Sequence, residues 1–176
     1  MKKKFKKIYH YLVGRFGGLL YGNPSDKMII IGVTGTSGKS STCYFIAQIL
    51  EHAGISVAMS TTTLFKIGSK EWLNDTKMTM LGKLALHSFL SRAHKAESKV
   101  VIIETSSQGI EQSRHLGINY DILVFTNLYP EHIEAHGGFE NYKAAKGKLF
   151  AHLSECKKKK IDGKEILILM IKLRIY

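Results

Sequence analysis

Two cysteines, fourteen acidic residues and no long uninterrupted apolar run are what this 176-residue chain offers. Cys43 and Cys156 are too few for a disulfide framework and form no C-x-x-C pair, so a disulfide-stapled secreted scaffold is excluded and a reducing cytosol is expected. Both read as inert thiols. The N-terminal stretch MKKKFKKIYHYLVGRFGGLLYG imitates a signal peptide in its basic start, but His10 and Arg15 interrupt its apolar part and leave it too short to span a bilayer. Its apolar residues Ile8, Leu12, Phe16 and Leu19 recur at helical spacing. That predicts a basic amphipathic helix, lying either on an anionic membrane surface or on its own domain.

The shortage of acids against 26 Lys and Arg gives a formal charge of +12. The excess sits at the ends: five lysines in MKKKFKK and Lys157 to Lys160, leaving the rest of the chain at only about +3. No broad basic face is left on the body, so nucleic acid is not an expected partner. Internal repeats are absent too. With 44% hydrophobic residues the chain is long enough for one globular domain with a core.

What is there is an alternation of short apolar runs with helical patterns. KMIIIGV, SVAMS, KVVIIE and YDILVF read as strands. Ser40–Ala53 reads as a helix with Phe45, Ile46, Ile49, Leu50 and Ala53 on its inward stripe. A second helix is marked by Leu81, Leu84, Ala85, Phe89 and Ala93, and a last one runs from about Phe139 to Leu153. Residues 61–79 read as a loop or small hairpin. Strands joined through helices of this length predict an α/β domain of the P-loop type, in three layers, with a mostly parallel sheet covered on both faces.

Behind the first strand stands GVTGTSGKSS, Gly32 to Ser41. A glycine-rich turn between a buried strand and a helix aims backbone N–H groups at one spot beside the positive end of the helix dipole, where a phosphate chain binds. Gly35, Thr36, Ser37, Gly38, Lys39, Ser40 and Ser41 form this cradle, with Lys39 reaching terminal phosphates and Ser40 a magnesium ion. The literal pattern GxxxxGK[ST] is not met, because Val33 occupies the place of its first glycine. At the end of VVIIETSS, Glu104 falls on the same sheet edge, either as a magnesium ligand or as a strand-end carboxylate meeting solvent.

FTNLYPEHIEAHGG leaves that edge as well. His132 and His136 have a zinc-compatible spacing, but Pro130 and two glycines leave little room for a helix, so His132 reaching a metal held on a nucleotide is the stronger reading. On the last helix, Phe139, Tyr142, Leu149, Phe150 and Leu153 share one face with Lys146 in their midst, while Lys143 and Lys148 point elsewhere. Two readings of Lys146 stay open: a desolvated amine that reacts as a nucleophile or combines with carbon dioxide, and a lysine that snorkels to water.

In order and spacing, GVTGTSGKSS, VVIIETSSQGIEQSRHLGI and DILVFTNLYPEHIEAHGGFENYKAAKGKLF resemble the central ATP-binding domain of the Mur ligases over about residues 28–153, most closely those that add the third residue of the peptidoglycan stem. The resemblance implies a cytoplasmic ligase of cell-wall precursor synthesis that uses ATP and Mg2+ to phosphorylate a carboxylate, which an amine then attacks. It implies Lys39 on the phosphates, Ser40 and Glu104 on one magnesium ion, and His132 on a second positioned by a carbamylated Lys146. Thr79, Ser106 and Arg114 are implied contacts to a UDP-muramoyl-peptide substrate. Ser37, Gln108, Glu131 and Glu134 stand where the family has asparagine, histidine and aspartates, and KMTM replaces its usual threonine pair.

The expected organisation is a basic helix and linker over 1–25, an incomplete central domain over 26–153 and a Lys-rich tail over 154–176. On this expectation a single helix stands in place of the family's uridine-binding domain and its amino-acid-binding domain is missing. The expected product is therefore a truncated or frame-shifted chain that is inactive alone. Two alternatives accompany this reading: a non-catalytic nucleotide-binding or membrane-surface module contacting lipid through residues 1–21, and a ligase like folylpolyglutamate synthase.

Overall fold

The computed structural model describes residues 16–131, 133–166 and 169–172. Residues 16–20 are helical (α1), and a 3-10 turn at Pro24–Lys27 delivers the chain into strand β1 (Ile29–Thr34). There follow α2 (Lys39–His52), β2 (Val57–Ser60), the hairpin of β3 (Leu64–Ile67) and β4 (Lys70–Leu73), α3 (Lys83–Lys95) and β5 (Val100–Glu104). The second half holds α4 (Ser107–Glu111), β6 (Ile122–Phe125), α5 (Ile133–His136), α6 (Phe139–Glu155), the hairpin of β7 (Lys159–Ile161) and β8 (Lys164–Ile166), and β9 (Leu169–Lys172).

Seven strands form one sheet in the order β4-β3-β2-β5-β1-β6-β9, with β2, β5, β1, β6 and β9 parallel and β3 and β4 added antiparallel at one edge. Period-two alternation divides the apolar strands between two cores. Ile30, Val101, Ile103 and Leu123 face one way, against Leu86 and Leu90 of α3 and Leu149 and Leu153 of α6. Ile31, Val33, Ile102 and Val124 face the other way, against Cys43 and Ala47 of α2. The result is the three-layer α/β architecture expected from the sequence.

Two helices are turned from the expected orientation. On α2, Cys43 and Ala47 take the fully buried positions and Ile46 and Leu50 flank them, whereas Phe45 is 62% and Ile49 69% exposed. On α3, Leu86, Phe89, Leu90 and Ala93 are buried while Leu84 and Ala85 face water. In both helices several apolar residues compete for the inward arc, and periodicity alone cannot rank them. The helical expectation also fails after Pro130, where Ile133–His136 makes one turn of helix despite the flanking proline and glycines.

The chain beyond Leu153 is ordered where described. β9 pairs in parallel with β6 and forms the sheet edge, and β7 and β8 make a separate hairpin. Lys159, in the middle of the lysine run, is turned inward. Its Nζ donates to Asp121 Oδ2 at 2.6 Å, Asn119 O at 2.6 Å and Met28 O at 3.1 Å, pinning the hairpin to the amino edge of the sheet. No helix among the described residues is long and apolar enough to cross a membrane.

Candidate functional site

β1 lies between β5 and β6; the connection leaving β1 runs to β2 on one side and the connection leaving β5 runs past β1 to β6 on the other, so a crevice opens at the carboxyl ends of these strands. The glycine-rich turn occupies it. Gly38, with φ 73°, takes the left-handed conformation that lets the turn enter α2. Gly35 is required by proximity: a Cβ there would lie 1.8 Å from Thr126 Oγ1.

Residues of the β6 exit hold the turn in shape. Asn127 Oδ1 accepts from the backbone N–H groups of Thr36 (3.0 Å) and Ser37 (2.9 Å), and Thr126 Oγ1 donates to Ser37 O at 2.8 Å. Tyr142 Oη donates to Thr36 Oγ1 at 2.9 Å from α6. Neither Thr126 nor Asn127 was singled out from the sequence, although a polar pair directly after a buried strand at this edge was the available signal.

Glu104 ends β5 only 2% exposed. Its Oε2 accepts from Ser40 Oγ at 2.7 Å and from the Thr62 N–H at 2.8 Å, and its Oε1 accepts from Thr62 Oγ1 at 2.9 Å. The structure thus brings Ser40 and Glu104 together as one cluster of hard oxygens, a donor set that suits magnesium completed by phosphate oxygens and water. The solvent-facing reading of Glu104 does not hold. Thr62, in the turn after β2, is a third member of the cluster that sequence spacing did not reveal.

Lys146 is 3% exposed, so it does not snorkel. Its Nζ donates to Gly35 O at 2.7 Å and lies 4.6 Å from the centroid of the Tyr142 ring. Burial pushes its pKa down to about 7, helped by the Lys39 charge and opposed by Glu131. Lys39 Nζ meanwhile donates to Thr36 O at 2.8 Å, so two cations are held against carbonyls of the same turn. At neutral pH the Lys146 amine has an appreciable neutral fraction, which is the form that reacts with carbon dioxide.

Beside the turn lies a cavity of about 280 Å³ lined by Lys39, Thr79, Ser106, Arg114 and Lys146 among others. Among the described residues four basic side chains line it, Lys39, Lys77, Arg114 and Lys146, and no carboxylate does. Ser106 Oγ caps α4 by accepting from the Gly109 N–H at 3.1 Å. The Arg114 guanidinium is oriented by Gln112 Oε1, at 3.0 and 2.6 Å, and by the Met80 carbonyl. Burial lowers its pKa, and burial with the Arg114 charge brings that of Lys83 down to about 8. Lys77, Gln112 and Lys83 were not among the residues expected from the sequence.

The remaining expectations fare differently. His132 lies outside the described residues. His136 Nε2 is 3.0 Å from Ser107 Oγ and its ring packs on Tyr142, and no group of three or more His, Cys, Asp or Glu residues that could hold a metal occurs among the described residues. Ser41 is exposed on the first turn of α2. Burial raises the thiol pKa of Cys43, and brings that of Cys156 up to about 11, which suits inert thiols.

Comparison with known proteins agrees with this arrangement. The family model described as the Mur ligase middle domain matches residues 33–169. UDP-N-acetylmuramyl-tripeptide synthetase of Borreliella burgdorferi is 38% identical over 146 residues, which are 81% of this chain and 29% of that protein. UDP-N-acetylmuramoyl-L-alanyl-D-glutamate--2,6-diaminopimelate ligase of Xylella fastidiosa gives the same figures. Among solved structures, a ligase of that latter name superposes with a TM-score of 0.67 at 30% identity, over 81% of this chain and 29% of the other. Folylpolyglutamate synthase of Mycobacterium tuberculosis, complexed with ADP and AMPPCP, superposes with a TM-score of 0.61 over 90% of this chain and 40% of the other. At 13% identity that likeness concerns the fold alone. The chain spans less than a third of the length of the curated relatives it matches. On the family model and on these identities, the chain belongs to the Mur ligases, through their middle domain.

Proposed function

We propose that this domain supplies the ATP site of an acid–amino acid ligase acting on UDP-muramoyl-peptide precursors of peptidoglycan. The observation that carries the reading is the convergence, at one sheet edge, of the glycine turn, the Ser40–Glu104 oxygen pair and the inward amine of Lys146. In this reading the turn from Gly35 to Ser41 cradles the phosphates of ATP and Lys39 exchanges the Thr36 carbonyl for a phosphate oxygen. Ser40 and Glu104 hold Mg2+, whose contribution is to neutralise charge on the phosphoryl group.

Lys146, as a carbamate, would be a carboxylate-like ligand for a second ion, a role it would share with His132. The cation-lined cavity takes the anionic muramoyl peptide, with Thr79, Ser106 and Arg114 as contacts and Gln112 holding the guanidinium in place. A substrate carboxylate bound there faces the phosphate end of the cavity, across which phosphoryl transfer and amine attack take place. Residues 26–153 form the core of this domain. The ligation itself also uses an amino-acid site that the reading does not assign to this chain.

Calorimetric titration of the chain with ATP in the presence and absence of Mg2+ tests the reading. Lys39→Ala is expected to weaken nucleotide binding by about tenfold to a hundredfold, the range for a lost charge-assisted hydrogen bond. Glu104→Gln should abolish the dependence on Mg2+. Equal affinity of Lys39→Ala and the parent, with no response to Mg2+, would remove the nucleotide site and with it the ligase reading.

A further inference from the structure

The end of the domain opposite the nucleotide crevice has an unusual surface. α1 turns two glycines inward and its large apolar residues outward. Gly17 packs so closely that a Cβ would lie 2.7 Å from the His87 ring, and a Cβ on Gly18 would lie 2.8 Å from Asn23 Oδ1 and 3.1 Å from Gly117 O. No bulkier residue fits that face without a shift. Phe16, Leu19 and Leu20 are 52%, 61% and 78% exposed. A helix with this polarity is inverted relative to a surface helix serving its own core.

Cations surround it. Phe16 and Leu19 share a shallow groove with Lys157, which begins the segment leading into the β7–β8 hairpin. Lys159 is anchored to Asp121, Asn119 and Met28 at the amino edge of the sheet, and this fixes the segment there while Lys157, Lys158, Lys160 and Lys164 of the segment and its hairpin stay exposed. Lys27, in the 3-10 turn, is exposed as well. The described acids at this end are Asp26, Glu155, Glu165, which stands opposite Lys160 in the β7–β8 hairpin, and Asp162, which is paired with Lys99 at 2.9 Å. Cations therefore outnumber acids around an exposed apolar patch, the combination that favours the interface of an anionic bilayer over water or a neutral surface.

We propose that this basal surface docks on anionic lipid, with Phe16, Leu19 and Leu20 entering the headgroup region and Lys157, Lys158 and Lys164 lying against the phosphates. Because the patch lies at the amino edge of the sheet and the crevice at the carboxyl edge, docking leaves the nucleotide site facing away from the membrane. The inference does not depend on the ligase reading: vesicle binding is measured without nucleotide.

The test is co-sedimentation of the full chain with vesicles of phosphatidylcholine containing 30% phosphatidylglycerol, against vesicles of phosphatidylcholine alone. Binding to the anionic vesicles only, weakening from 50 to 300 mM salt, is expected. Lys157→Glu with Lys158→Glu should reduce partition by about thirtyfold or more, at roughly 1 kcal/mol for each cation lost near the surface. Leu20→Asp, at a side chain that is 78% exposed, should reduce it by about tenfold or more. A Leu20→Trp variant should be quenched by dibrominated lipid. If both sets of variants bind like the parent, any attachment belongs to the five lysines of residues 2–7 and the proposal is overturned. Absence of binding at 50 mM salt overturns it as well, as does a concentration-dependent dimer that Leu20→Asp dissolves without any change in vesicle binding.

Discussion

Two buried lysines, one at each edge of the sheet, have opposite surroundings. At the amino edge Lys159 meets a carboxylate, Asp121, and two backbone carbonyls, and Asp121 also accepts from the Ile30 N–H at 2.7 Å. At the carboxyl edge Lys146 meets one carbonyl and an aromatic face, with a second cation, Lys39, nearby. The first is an ion pair that fastens the β7–β8 hairpin under the sheet, although burial still lowers the Lys159 pKa and raises that of Asp121. The second is held without a carboxylate partner in hydrogen-bonding contact, so its charge is costly and its neutral form is accessible. Burial of a lysine is thus not in itself a sign of chemistry; what sets Lys146 apart is burial beside the glycine turn with no carboxylate among the described residues in hydrogen-bonding contact.

The comparison breaks most visibly if one partner of the ion pair is removed. Asp121→Ala leaves the Lys159 ammonium buried and unpaired and should cost about 3–5 kcal/mol in urea unfolding, whereas Asp121→Leu combined with Lys159→Met should recover most of that loss. Lys146→Met should behave in the opposite way, with stability at pH 7 unchanged or raised while nucleotide-dependent function is lost.

A smaller effect sharpens the contrast through pH. Lys146 has a folded pKa near 7 against an ordinary value of 10.5, so the folded state binds fewer protons than the unfolded chain between those values. Its contribution should therefore make the protein more stable as pH rises from about 7 to 10.5, and Lys146→Met should remove that rise. Lys159, whose pKa burial lowers against the opposing pull of Asp121, should add a weaker trend of the same sign. Thermal unfolding between pH 7 and 10 for parent and variant reads the difference.

His115 provides the acid counterpart. It is 4% exposed, packs edge-on against His152 with ring centroids 5.2 Å apart, and has its pKa pushed down to about 3 by burial and by the charges of His152, Lys148 and Lys83. The unfolded chain takes up this proton near pH 6.5 and the folded one only near 3. Stability should fall as pH drops through that window, and His115→Gln should flatten the fall in an acid titration followed by circular dichroism.

The edge that carries the crevice was far more legible than the opposite one. Local order in GVTGTSGKSS and the apolar runs before Glu104 and Thr126 fixed which side chains share the carboxyl edge, because in a parallel sheet every strand delivers its exit to the same side. Lys146 could be placed from a helical wheel since Tyr142, Leu149 and Leu153 leave little choice of inward face. Thr62, Gln112 and Lys77 were out of reach, because their positions depend on turns whose course is set by tertiary contacts such as Asn74 Nδ2 donating to the carbonyls of Thr61 and Met78. Lys159 was hidden in a run of identical residues, where no pattern distinguishes an inward lysine from three exposed ones. On α2 the arc was misjudged because Phe45 and Ile49 are as apolar as the residues that won. Phe45→Lys should accordingly change stability by no more than about 0.5 kcal/mol, while Ala47→Leu should cost about 1–3 kcal/mol.

The most direct measurement is carbon-13 NMR of the chain in labelled bicarbonate, with the ionisation of Lys146 followed in the same samples. The account predicts a carbamate resonance near neutral pH that disappears in Lys146→Met, and an amine that titrates near 7 when bicarbonate is withheld. An amine titrating near 10.5 with no carbamate signal would contradict it, and Lys146 would then be a second fastening of the fold like Lys159.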